Sequence, residues 1–163
     1  MSLFNADFIE LYRRHLCRHS QFGINVLHLV AVVGIYTSLL CLLLKLPAAP
    51  WIIGALSTVY LVVLWRTVPA SVVVLAAVVL AMLLGLAASI PDVPAWAHLL
   101  LIAAWHRFQT WNHRVYHVHH DMSEFAGKYQ KGPKLFLLLA FYELPILLNF
   151  FLQFRDGKTL DVT

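Results

Sequence analysis

Long apolar runs separated by short polar turns dominate the chain from residue 23 onward. Runs of about 20 apolar residues can cross a hydrocarbon core of roughly 30 Å as helices. The turns between them carry proline, glycine or charged residues, which end helices. The pattern predicts apolar helices at residues 23–44, 46–65, 70–90, 95–105 and 135–154.

The fourth run continues without proline or glycine into the polar stretch 106–124. We therefore expect one helix over residues 95–124 that extends beyond the membrane on the cytoplasmic side or lays its polar face against other helices. The fifth run contains Pro145, which removes a backbone donor and leaves open whether the segment spans or re-enters the membrane. The prediction is four to five transmembrane helices.

The first residues follow a different pattern, with apolar side chains at helical spacing. Residues 4–21 predict an amphipathic helix before the membrane, with Phe8 and Leu11 on one face and Arg14 and Arg18 on the other. No short apolar region meets a small-residue cleavage site here, so we expect no cleavable signal peptide.

Composition supports a membrane protein. Hydrophobic residues make up 61% of the chain and charged residues 12%, whereas soluble domains contain about 25% charged residues. We therefore predict an all-α integral membrane protein with one domain over residues 1–163. Cys17 and Cys41 show no paired spacing, so a disulfide framework is not expected.

The basic residues indicate an orientation. The net charge of +4 comes from residues beside the apolar runs, so it indicates membrane topology and no nucleic-acid partner. With the N-terminus in the cytoplasm, Trp65 and Trp105 lie at the inner interface and Trp51 and Trp96 at the outer one. The cytoplasmic segments then carry nine of the twelve basic residues: Arg13, Arg14, Arg18, Arg66, Arg107, Arg114, Lys128, Lys131 and Lys134.

Five of the nine histidines lie in the stretch 106–124. Solvated helix faces are normally filled with Lys, Glu, Arg and Gln, so a column of histidines is either a set of metal ligands or an unusual solvent face. We favour the metal ligands. At about 100° per residue, the residues that share this face are His106, His113, His117, His120 and Glu124.

A second histidine group lies near the N-terminus. His15 and His19 are four residues apart, a spacing that offers two metal ligands on one helix face and equally suits histidines at the lipid headgroups. His28 lies inside the first span, where an ionisable group indicates function. His98, near the other surface, is interpreted as an interface residue.

The predicted spans return the chain to one side of the membrane, so we expect both groups to share one site. The predicted metal ligands are His15, His19, His28, His106, His113, His117 and His120.

Histidines with nearby carboxylates and no thiolate suit iron, zinc or copper. Zinc would support hydrolysis, and iron would support oxygen chemistry on a lipid. Glu124 or Glu143 is expected to orient a ligand histidine through its second ring nitrogen. Glu143 could also be a metal ligand or a structural hydrogen-bond partner, and we favour the orienting and structural roles together. The chain contains no G-x-S-x-G turn, phosphate-binding glycine loop or C-x-x-C motif, so serine-nucleophile and nucleotide chemistry lack support.

The run 108–116, FQTWNHRVY, resembles the F-Q-x-x-G-H-x-x-F segment of the small membrane 2-hydroxy-fatty-acid dioxygenases. The residues similar to that family's first segment are Tyr12, His15 or His19, Asn25 and His28. Asn112 stands where the family has glycine, and His117 stands where it has glutamate. The chain has an HxxxH spacing at His15–His19 and an HxHH spacing at His117–His120. These spacings are more weakly similar to the histidine motifs of the membrane fatty-acid hydroxylases and desaturases.

The resemblance implies a membrane enzyme that binds ferrous iron, with zinc as the alternative metal, and uses O₂ on a fatty acyl or other lipid substrate at the cytoplasmic face. It makes Gln109, Tyr116 and Asn25 candidate substrate-binding residues. Two other functions stay open. One is a metal-ion transporter with a histidine path, and the other is a non-catalytic membrane scaffold whose histidine helix binds a partner.

Overall fold

The computed structural model describes residues 6–116, 123–130, 132–155 and 158–159. It confirms the predicted all-α class, and within these residues one short antiparallel pair, β1 (Phe154–Arg155) with β2 (Lys158–Thr159), accompanies the helices. The helices are α1 (Phe8–Leu16), α2 (Phe22–Leu44), α3 (Ala49–Thr67), α4 (Ala70–Ser89), α5 (Ala95–Tyr116), α6 (Ser123–Ala126) and α7 (Pro133–Gln153).

Four described helices are long and apolar enough to cross a membrane: α2, α3, α4 and α7. This agrees with the predicted membrane class but changes which helices qualify. The fifth apolar run forms one of the four as α7, and it stays helical through Pro145. Helix α5 does not qualify, because its second half carries the polar residues His106, Arg107, His113 and Arg114.

The polar extension of α5 is observed as far as Tyr116. Its predicted continuation through residues 117–122 lies outside the described residues. Glu124 belongs to the short helix α6.

Helix α1 is shorter than the helix predicted over residues 4–21. It begins after Asp7, whose Oδ1 accepts a hydrogen bond from the Glu10 amide at 3.1 Å and caps the helix. It ends at Leu16 because the chain must turn before α2 begins. Its apolar face is buried against the protein, with the Phe8 ring centroid 6.5 Å from that of Tyr142 in α7.

Helices α2 and α5 run antiparallel and pack closely through two glycines. A Cβ at Gly23 would lie 2.2 Å from the Tyr116 hydroxyl, and a Cβ at Gly34 would lie 2.3 Å from the Trp105 ring. The start of α2 therefore lies beside the end of α5. This pairing brings the two histidine-rich stretches to the same end of the molecule.

The opposite end is marked by an ion pair between Lys45, after α2, and Asp92, before α5. His98 lies in the first turn of α5 and is 3% exposed, and its Nδ1 has no hydrogen-bond partner among the described residues. Its side chain is therefore covered by the protein, and its place at the membrane interface stays a prediction.

Helix α7 supplies much of the core. Residues 144–150 are all buried. The Tyr36 hydroxyl of α2 donates to the Ala140 carbonyl at 3.1 Å, and the hydroxyls of Tyr142 and Thr67 are 3.0 Å apart. These contacts tie α7 to α2 and α3, and Tyr36 and Ala140 line the cavity described next.

Candidate metal centre

Three histidines from separate parts of the chain meet at one end of the bundle. His19 lies between α1 and α2, His28 in the second turn of α2, and His113 in the last turn of α5. One ring nitrogen from each lies within 4.8 Å of the others. His19 and His28 are buried, and His113 is the more exposed of the three. We call these residues the histidine trio.

Hydrogen bonds fix the tautomers of two members of the trio. The Nδ1 of His19 is 3.1 Å from the His15 carbonyl oxygen, and the Nδ1 of His28 is 3.1 Å from the Ile24 carbonyl oxygen. A carbonyl oxygen only accepts, so each Nδ1 must carry the hydrogen. In the neutral rings, each Nε2 therefore presents a lone pair.

These two lone pairs face each other, because the Nε2 atoms of His19 and His28 are 3.1 Å apart. Two lone pairs at this distance repel unless a proton or a cation lies between them. A metal ion bonded to imidazole nitrogen at about 2.0–2.1 Å holds neighbouring ligand atoms about 3 Å apart. The donor set and its spacing therefore fit a metal ion.

Burial favours the neutral form that a metal ligand needs. It lowers the pKa of His15 to about 4. It lowers the pKa of His19 well below its ordinary value, and the neighbouring imidazoles His15, His28 and His113 add to that effect. Both side chains are therefore neutral near pH 7, which is the form that binds metal.

Asn25 forms hydrogen bonds with the chain segment that carries His15 and His19. It is fully buried, and its Nδ2 donates to the carbonyls of His19 and Gln21 at 2.6 and 2.9 Å. Its Oδ1 accepts from the Nε2 of His15 at 2.8 Å. Because both ends of its amide are used by the protein, Asn25 positions the histidines. The structure does not give it the predicted role in binding substrate.

Two of the other predicted ligands, His15 and His106, are described by the structure and do not belong to the trio. His15 stacks on His19, with ring centroids 4.0 Å apart, and its Nε2 is used by Asn25. His106 packs edge-on against Phe136 at 6.2 Å. Both line the cavity beside the trio but lie outside the group of three. His117 and His120 lie outside the described residues and stay predictions.

A cavity of about 570 Å³ adjoins the trio between α1, α2, α5 and α7, within the range of about 300–1,000 Å³ of small-molecule sites. On its wall, the Gln109 Nε2 donates to the Glu143 Oε1 at 2.8 Å. Most of the remaining lining is apolar and includes Val32, Ile35, Ile102, Leu139 and Ile146. The wall of the cavity is therefore mostly apolar away from the trio.

The two carboxylates predicted to orient ligands are used differently. Backbone carbonyls orient His19 and His28, so neither Glu124 nor Glu143 orients these two histidines. In both cases the carbonyl lies four residues earlier in the chain, and this contact requires no buried charge. Glu143 pairs with Gln109, and Glu124 is exposed in α6.

Tyr116 packs its hydroxyl over Gly23 and is not among the residues that line this cavity. Gln109 does line it, next to the trio, and is 8% exposed. Of the three predicted substrate-binding residues, Gln109 is therefore the one placed where a bound molecule would contact it.

Two features were missed from the sequence. Arg14 and Arg18 line the cavity, although the amphipathic pattern assigned them to the face directed away from the apolar side. Asn112 is fully buried, and neither atom of its amide has a hydrogen-bond partner within the described part of the chain. Asn112 lies seven residues after Trp105 and four residues before Tyr116. Helical spacing therefore puts it on the same face of α5 as these two residues, which pack against glycines of α2.

No family model matches the chain. Comparisons with curated proteins and with solved structures also find no significant match.

Proposed function

We propose that the chain is a metal-dependent membrane oxygenase that acts on a fatty acyl or related lipid substrate, with ferrous iron as its metal. The observation that carries the proposal is the histidine trio beside an apolar cavity. The facing Nε2 atoms of His19 and His28, 3.1 Å apart, favour a cation between them. The cavity gives an acyl chain a place beside that cation.

The donor set favours a transition metal with open positions. Three imidazoles without thiolate suit iron, zinc or copper, and leave room for substrate and a further ligand. Ferrous iron, when bound, supplies the oxygen chemistry. The resemblance of residues 108–116 to the 2-hydroxy-fatty-acid dioxygenases favours iron over zinc.

The chain's own residues would bind and shield the reacting end of the substrate. The carbonyls of His15 and Ile24 keep the ligand rings in one tautomer, and Asn25 keeps the connection before α2 in place. The apolar walls exclude water from the chain of the substrate. Gln109 and Glu143 offer the polar groups on that wall.

A metal-ion transporter is less well supported. A path across the membrane would need ligands along the spans, and α3 and α4 contain no His, Cys, Asp or Glu in their sequences. A non-catalytic scaffold would not need buried facing imidazoles. We further propose that the trio lies at the cytoplasmic face, because nine of twelve basic residues fall in the segments assigned to that side.

The test is a lipid-product assay. Purified protein with ferrous iron, O₂ and 2-hydroxypalmitate should yield a shortened or hydroxylated product by mass spectrometry, and His28→Ala or His113→Ala should abolish it. Arg66→Gln, an exposed change after the apolar part of α3, should leave it intact. Turnover without O₂, or with zinc alone, would replace the oxygenase by a hydrolase. Metal-loaded protein that converts no lipid but moves metal into proteoliposomes would establish the transporter.

A further inference from the structure

Two arginines stand at the exposed rim of the cavity. Arg14 and Arg18 are four residues apart, and both line the cavity that holds the histidine trio. Arg18 is exposed, and Arg14 is partly buried. The guanidinium of Arg14 lies 5.6 Å from the centroid of the Tyr129 ring, which holds it in place.

Among the described residues, neither arginine forms an ion pair with a carboxylate. Glu10 pairs with Lys128, and Asp92 pairs with Lys45 at the other end of the molecule. Glu143 shares the cavity, but its Oε1 accepts from Gln109. The buried Nε of Arg14 has no hydrogen-bond partner within the described residues.

The two arginines also act on each other. Burial lowers the pKa of Arg14, and the charge of Arg18 lowers it further. Arg18 lines the same cavity as His113 of the trio.

A bound metal ion would add to the positive charge of the two arginines. Neutral imidazole ligands contribute no negative charge, so a divalent cation would keep its full charge beside two arginines. A cleft lined by one sign of charge with low-dielectric walls concentrates ions of the opposite sign. Arginine also presents a fork of donors that matches a carboxylate or phosphate.

We propose that Arg14 and Arg18 form an anion-binding site that takes the carboxylate head of a single-chain amphiphile, with its hydrocarbon chain in the apolar part of the cavity. The site decides specificity at the polar end of the ligand, and the cavity accommodates the chain. The identification of that ligand as an acyl substrate rests on the proposed function. The preference for an anion rests on the arginines alone.

The experiment measures binding and needs neither metal nor turnover. The full-length chain is placed in phosphatidylcholine nanodiscs, stripped of metal with EDTA, and titrated with hexadecanoate, hexadecanol and hexadecyl phosphate. Wild type should bind hexadecanoate at least about tenfold more tightly than hexadecanol, because only the carboxylate accepts charge-assisted hydrogen bonds from the arginines.

Arg18→Gln should weaken hexadecanoate binding about tenfold and leave hexadecanol unchanged, and Arg18→Lys should restore part of the loss. The double variant Arg14→Gln/Arg18→Gln should weaken it further. Arg66→Gln, an exposed arginine outside the lining of this cavity, should behave as wild type. An equal loss for acid and alcohol would assign the arginines a structural role and overturn the proposal.

Two further outcomes are decisive. Tighter binding of hexadecyl phosphate than of hexadecanoate would refute a carboxylate site and assign the arginines to a phosphate head. Selective, arginine-dependent binding of hexadecanoate without any oxygen-dependent product would leave the anion site standing and refute the proposed oxygenase. The experiment therefore distinguishes a failure to bind the anion from a failure to carry out the oxygen-dependent reaction.

Discussion

The Nε2 atoms of His19 and His28 face each other at 3.1 Å while the opposite ring nitrogens are held by backbone carbonyls. This relationship joins the connection before α2 to the first span. It leaves two acceptor atoms directed at the same point in a buried site. A cation at that point removes their repulsion and gains two ligands, which is why we regard metal binding as the function of this geometry.

Removing one member of the trio should remove the metal. His19→Ala, His28→Ala and His113→Ala should each reduce bound metal from about one ion per chain to near zero, because two remaining imidazoles cannot fix the coordination geometry. The measurement is metal analysis of purified protein by mass spectrometry. His106→Ala is the matched control, since it removes a cavity-lining imidazole outside the trio, and it should retain the metal. Full occupancy in the three trio variants would contradict the site.

Removing the support behind the trio should have a smaller effect. Asn25→Leu leaves the His15 Nε2 and the carbonyls of His19 and Gln21 without their partner. We expect metal affinity to fall about 10- to 100-fold, as it does when groups that hold metal ligands are removed. Competition with a chromogenic chelator measures this. Unchanged affinity in a folded Asn25→Leu protein would mean that Asn25 does not position the ligands.

The sequence was sufficient for the class of fold and for the meeting of the two histidine groups. Apolar spans of about 20 residues and helical spacing depend only on the local sequence, so they predict the helices without knowledge of the tertiary contacts. His28 and His113 were therefore both expected at one end of the molecule. The packing of Tyr116 against Gly23 brings the end of α5, with His113, beside the start of α2, with His28.

The detailed roles could not be predicted, because they depend on the partner that each side chain meets. His98 was expected at an interface, and helix packing buries it. Asn25 was expected to meet substrate, but a turn directs the His19 and Gln21 carbonyls onto its amide. Arg14 and Arg18 were placed by helical periodicity, which does not reveal that α5 and α7 would form a cavity beside them.

The partly buried pair Gln109–Glu143 should show strong coupling. Gln109→Leu leaves the Glu143 carboxyl group without its donor in an apolar cavity, so it should destabilise the protein by about 1–3 kcal/mol. Gln109→Leu combined with Glu143→Leu should cost less than the sum of the single changes, because neither polar group is left unpaired. Thermal unfolding in detergent provides the measurement. Additive effects would show that the two side chains do not depend on each other.

The two ends of the bundle should lie on opposite sides of the membrane. In a background with Cys17→Ser and Cys41→Ala, single cysteines at Ser20 and Gln130 should react with an impermeant maleimide from the cytoplasmic side alone. A cysteine at Asp92, beside Lys45 at the opposite end, should react from the other side. Labelling of Ser20 and Asp92 from one side would contradict the proposed orientation.

Close packing of α2 on α5 should be sensitive to one methyl group at Gly34. A Cβ there would lie 2.3–2.6 Å from atoms of the rigid Trp105 ring, so Gly34→Ala should force the helices apart and destabilise by about 1–3 kcal/mol. Gly54→Ala in α3 is the matched control, because nothing lies within 4 Å of its Cβ position. In α3 the added methyl should be neutral or mildly stabilising, since alanine favours helix over glycine.

Rescue makes the Gly34 test specific. Trp105→Leu removes the ring that the new methyl would strike, so Gly34→Ala should cost less in that background than in the wild type. Because the same helix pair places His28 beside His113, Gly34→Ala should also weaken metal binding, and Gly54→Ala should not. Equal melting temperatures and equal metal affinities for the two alanine variants would show that the α2–α5 contact does not hold the metal site together.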